Sequence, residues 1–66
     1  MSTKQMVFTE DIMEKYAVHL PKGVTNGVIF KFVRDVQDTV LKNQGSEVSN
    51  AGAFYHYLIR YRDEKL

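Results

Sequence analysis

No cysteine occurs anywhere in this 66-residue chain, and that absence limits the fold more than any residue present. A domain of this length buries only about 60% of the surface its unfolded chain exposes. Small domains usually make up the shortfall with disulfides, a structural metal or association. Disulfides are excluded here, and His19 and His56 are the only soft ligands left for a metal. Close helix packing or pairing with a second copy remains. A homodimer is the expectation, because Val28, Phe30 and Tyr57 fall outside the main apolar stripes.

Lack of cysteine also fits a reducing compartment. The opening residues Met1-Ser2-Thr3-Lys4-Gln5 lead into no apolar run of secretory-signal length. No segment approaches the ~20 apolar residues of a membrane span. The reading is a cytoplasmic protein with no membrane partner, one domain over residues 1–66, its residues 1–8 flexible. The net charge of +1 is not that of a strongly basic nucleic-acid coat, so any basic face must be local.

Three capped stripes at helical period predict an all-α, three-helix domain. Thr9 suits a helix N-cap, Glu10 and Asp11 complement the first-turn dipole, and Phe8 and Met13 fit a hydrophobic staple. Ile12, Met13, Tyr16, Ala17 and Leu20 then recur at helical spacing up to Pro21, giving a helix over Glu10–Leu20. Residues 21–27 read as a loop with a cap at Thr25 or Asn26. Ile29, Phe32, Val33, Val36, Val40 and Leu41 form the stripe of a second helix over Gly27–Asn43. Its β-branched residues favour strand, but its length and period favour helix, and Gly45 is a natural terminator. Ser46 and Ser49 are cap-like, and a third helix spans Ser49–Lys65. The expected core is Ile12, Tyr16, Leu20, Ile29, Phe32, Val33, Val36, Val40, Phe54, Tyr55 and Leu58. Gly52 inside the third helix costs about 1 kcal/mol against alanine, which calls for a special reason.

Catalytic chemistry finds little support. Ser46 and Ser49 are better explained as caps than as nucleophiles. His19 and His56 have no carboxylate at a paired spacing, and Glu10, Asp11 and Glu14 fit a solvated helix start. No spacing suggests converging metal ligands, and Gly23 and Gly27 lack the pattern of a phosphate loop. The expectation is a non-enzyme with no cofactor.

The informative stretch runs from Val48 to Leu58: small and polar first, aromatic in the middle, then basic through Arg60, Arg62 and Lys65. Small residues at a helix start let the backbone approach another surface, and its N–H groups can grip phosphate. Gly52-Ala53-Phe54-Tyr55-His56-Tyr57-Leu58 resembles the recognition-helix signature of the tetracycline-repressor family. The resemblance is confined to residues 48–58, and the preceding turn is longer than the family's. It implies a helix-turn-helix-like C-terminal helix pair that reads duplex DNA. Asn50, Ala51 and Ala53 would face bases, and Tyr55 with His56 or Tyr57 would hold phosphates. Arg60 and Arg62 would add phosphate contacts, and the Asn50 amide can pair twice with an adenine edge. The family's large ligand-binding domain has no counterpart, so no small-molecule ligand is implied.

Residues Tyr16-Ala17-Val18-His19-Leu20-Pro21 alternate like the strand that opens ribbon-helix-helix repressors. That resemblance gives an alternative fold, a dimeric ribbon with Lys15, Ala17 and His19 in the groove. The functional expectation is a small DNA-binding regulator. Its alternative is a protein-interaction module, an inhibitor or adaptor docking on a larger protein partner.

Overall fold

The computed structural model describes residues 4–66. Its elements, in chain order, are β1 (Lys4–Met6), α1 (Glu10–Ala17), α2 (Asn26–Gln44), β2 (Ser46–Val48) and α3 (Ala51–Lys65). Among the described residues the protein is mostly helical, with three helices, but it is not all-α. Strands β1 and β2 pair in parallel, with Lys4 opposite Ser46 and Met6 opposite Val48. The reading of residues 1–8 as flexible passed over this strand and over Phe8, which is buried in the core; residues 1–3 lie outside the described part.

The first two helices start at threonine caps. The Thr9 hydroxyl accepts from the Ile12 N–H and the Thr25 hydroxyl from the Val28 N–H, both at 3.3 Å. Helix α1 stops at Ala17, short of the expected Leu20. Pro21 disfavours helical geometry in the residue before it. The chain tightens instead, with the His19 N–H bonded to the Tyr16 carbonyl and the Leu20 N–H to that of Ala17. Leu20 is still carried into the core. The same turns dispose of the ribbon alternative, since Tyr16 and Ala17 are helical, Val18 and His19 are turn, and no strand forms over residues 16–21.

At the far end of α2, Gly45 takes the left-handed conformation at φ 64° and its N–H bonds the Leu41 carbonyl at 2.9 Å. That closure reverses the chain into β2. Ser46, expected to cap a helix, is instead a buried strand residue. The link between α2 and α3 therefore contains a strand tied to the N-terminal segment. A helix-turn-helix usually makes this connection with a short turn alone.

The core forms where the elements converge on Phe54, Leu58 and Ile29, all fully buried. Ile29, Val33, Val36 and Val40 face inward from α2 at the helical repeat, while Leu41, assigned to that stripe, is exposed. Phe8 lies edge-on to Phe54 with ring centroids 4.7 Å apart, and Tyr16 and Phe32 complete the aromatic cluster around Phe54. Edge and tilted contacts of this kind add stability beyond area burial. Among the described residues, no helix is long and apolar enough to cross a membrane.

Candidate interaction surface

The residues expected to meet DNA from α3 do not share one face. Ala53, His56 and Arg60 point outward and are exposed. Arg60 makes only a loose 4.0 Å ion pair with Glu64, one turn on. Tyr57 is half-buried on another side, its ring stacked near Tyr61 at 6.4 Å, with the Lys65 ammonium 5.3 Å from the Tyr61 ring centroid. Tyr55 turns toward α2 and meets the exposed Phe30 ring edge-on at 5.9 Å.

Asn50 and Arg62 have other work. The Asn50 carboxamide accepts from the Phe8 N–H at 2.7 Å and donates to the Phe8 carbonyl at 2.8 Å. Both ends of the amide that would pair with a base are thus occupied within the fold. Asn50 also gives α3 no side-chain cap. Arg62 keeps a fifth of its side chain exposed. Its guanidinium donates to the Val24 carbonyl at 3.0 Å, to the Asn26 side-chain oxygen and to the Asp63 carboxylate. It fastens α3 to the loop between α1 and α2 rather than extending toward a phosphate.

What sequence reasoning missed is a groove between α2 and the start of α3. Phe30, Val33, Arg34, Gln37, Ala51, Gly52 and Tyr55 line this depression of about 580 Å³. It continues past Gln37 along Asp38 and Leu41 to Glu47 and Val48 of β2. Phe30 is 54% exposed and Leu41 44%, so large apolar groups stand in water at both ends. Phe30, Arg34, Gln37 and Leu41 recur at helical spacing, but the buried stripe beside them gave the stronger periodic signal.

Gly52 lies on this groove. A Cβ built there meets nothing within 4 Å, and the residue is helical. Neither backbone strain nor close packing therefore requires glycine, and its effect is to leave the groove wall bare. Gly52→Ala should raise stability by roughly 0.5–1 kcal/mol through helix propensity. A thermal melt with a Tm at or below that of wild type would show that the glycine has a structural role after all.

Among the described residues, no three His, Cys, Asp or Glu side chains converge as metal ligands would. No family model, curated protein or solved structure matches the chain. The geometry alone therefore bears on function.

Proposed function

We infer that this chain is a small protein-interaction module that docks on a larger protein through the groove between α2 and α3. The observation that carries this reading is the pairing of Phe30 with Tyr55 at the mouth of an apolar groove. Exposed apolar groups gathered along one groove, rather than scattered singly, mark interaction sites, and aromatic residues with arginine are enriched where proteins meet. The small net charge of +1 agrees with such a surface.

The duplex-DNA reading keeps one specific support: Ala53, His56 and Arg60 share the exposed face of α3. It loses Asn50 as a base reader and Arg62 as a phosphate contact, because both side chains are occupied within the fold. Asp63 and Glu64 also lie exposed on the same helix and oppose a phosphate backbone.

One experiment separates the two. The tagged full chain and its Phe30→Ser variant are used to capture partners from native extract, with and without nuclease, while the purified chain is titrated with duplex DNA at two salt concentrations. The docking reading expects a stoichiometric, nuclease-resistant protein that Phe30→Ser loses, and no duplex binding at low salt. Duplex binding that weakens with salt and with His56→Ala or Arg60→Ala, without any Phe30-dependent protein, would reverse the assignment.

A further inference from the structure

We propose that the groove takes an acidic, apolar peptide segment: a bulky apolar side chain against Phe30 and Tyr55, beside a carboxylate held by Arg34. This deepens the docking reading and rests on it.

The argument begins with the charges around the groove. Arg34 is the single ionisable cation among the residues lining the Phe30–Tyr55 depression, and no acidic residue lines it. Arg34 is exposed and forms no ion pair among the described residues. Arg34 also lines the continuation toward Leu41 and β2, where Asp38 and Glu47 stand on its other side. Arg34 is therefore the one charge at the apolar mouth, and it marks the boundary with a continuation that adds two carboxylates.

The start of α3 strengthens the positive sign of the mouth. Asn50 spends its amide on Phe8 and leaves the first turn of this 15-residue helix without a side-chain cap. Ala51 and Gly52 of that turn line the groove. The positive end of a helix dipole and a planar guanidinium both favour a carboxylate. Because Gly52 carries no side chain, a partner's backbone can approach the helix closely at this point.

A partner that satisfies these groups places its apolar anchor on the aromatic pair and its carboxylate over Arg34. A basic side chain farther along the segment meets Asp38 and Glu47. A cation placed beside the apolar anchor would meet only the like charge of Arg34, so the mouth itself discriminates against it.

The test uses short random peptides displayed on phage and selected on the immobilised full chain. A fluorescein-labelled copy of an enriched peptide is then titrated by anisotropy against wild type and variants. The expected pool combines Asp or Glu with Leu, Ile, Phe or Trp. Arg34→Glu should weaken binding at least about tenfold, an effect of roughly 1.4 kcal/mol. Arg34→Lys should retain most of it, and added salt should weaken the wild-type interaction. Phe30→Ser and Gly52→Leu should abolish it, and both positions are exposed enough to spare the fold.

Enrichment of basic or uncharged apolar peptides that still require Phe30 would overturn this inference and leave the docking reading standing. Failure to enrich any peptide sensitive to Phe30→Ser or Gly52→Leu would count against both. Sedimentation showing a dimer that Phe30→Ser dissociates would assign the groove to a second copy and overturn the proposal.

Discussion

Phe8→Ala is expected to lower stability by about 3–5 kcal/mol, the largest loss from any single truncation near the N-terminus. The side chain is 2% exposed and its ring packs against Phe54 at 4.7 Å and Tyr16 at 6.3 Å. Phe8 lies between β1 and α1, so it belongs to neither element and yet fixes both to α3. Removing the ring opens a cavity in a core that a domain this small has little surplus burial to absorb. Domains have only about 5–15 kcal/mol of total stability, so the variant should be partly unfolded or nearly so at room temperature. Urea denaturation measures the effect as a fall in midpoint. Val7→Ala is the control: Val7 is the adjacent residue, 58% exposed, and should change stability by no more than about 0.5 kcal/mol. A Phe8→Ala midpoint within about 1 kcal/mol of wild type would remove Phe8 from its central place.

The three helices were legible because their signals are local. Thr9 caps as expected and Thr25, one of two candidates, caps the second helix; Pro21 stops the first helix and Gly45 closes the second, each acting within a few residues of its own position. Most of the expected core also holds, with Leu20, Ile29, Val33, Val36, Val40, Phe54 and Leu58 buried. Strand β1 was illegible. Lys4-Gln5-Met6 has no alternating apolar pattern, and its partner Ser46-Glu47-Val48 sits far along the chain. Two three-residue strands offer no periodicity to detect, and their pairing depends on where α1 and α2 carry the chain. The placement of the candidate surface residues was illegible for a related reason. A motif supplies the types and spacing of Asn50, Tyr55, His56, Tyr57, Arg60 and Arg62, but not which of them the fold uses internally. Tyr55 faces α2, Tyr57 stacks near Tyr61, and Arg62 binds a loop that precedes it by 38 residues. The groove beside Phe30 required two helices in register and had no local signature.

Asn50→Ala is expected to cost about 1–3 kcal/mol, with the damage concentrated at the N-terminal strand. The amide bridges both backbone groups of Phe8, which precedes it by 42 residues. Just before it, the Ser49 N–H bonds the Met6 carbonyl at 3.0 Å, so Asn50 seals the end of the short parallel ladder. Alanine would leave the part-buried Phe8 N–H and carbonyl without these partners, which incurs their desolvation rather than only the net worth of two bonds. Loss of capping contributes little, because Asn50 makes no side-chain cap bond to α3. Ser49→Ala provides the comparison: its hydroxyl reaches the Met6 carbonyl only at 3.4 Å in an exposed setting, and its loss should cost no more than about 0.5 kcal/mol. Two measurements locate the effect. Urea denaturation gives the total, and amide hydrogen exchange should show faster exchange at Phe8 and Ser49 while the middle of α2 stays protected against local opening. A base-reading Asn50 predicts the reverse, with unchanged stability, unchanged exchange at Phe8 and blurred sequence preference in a DNA titration. Unchanged exchange at Phe8 in a variant as stable as wild type would show that the bridge to Asn50 does not hold the N-terminal strand in solution.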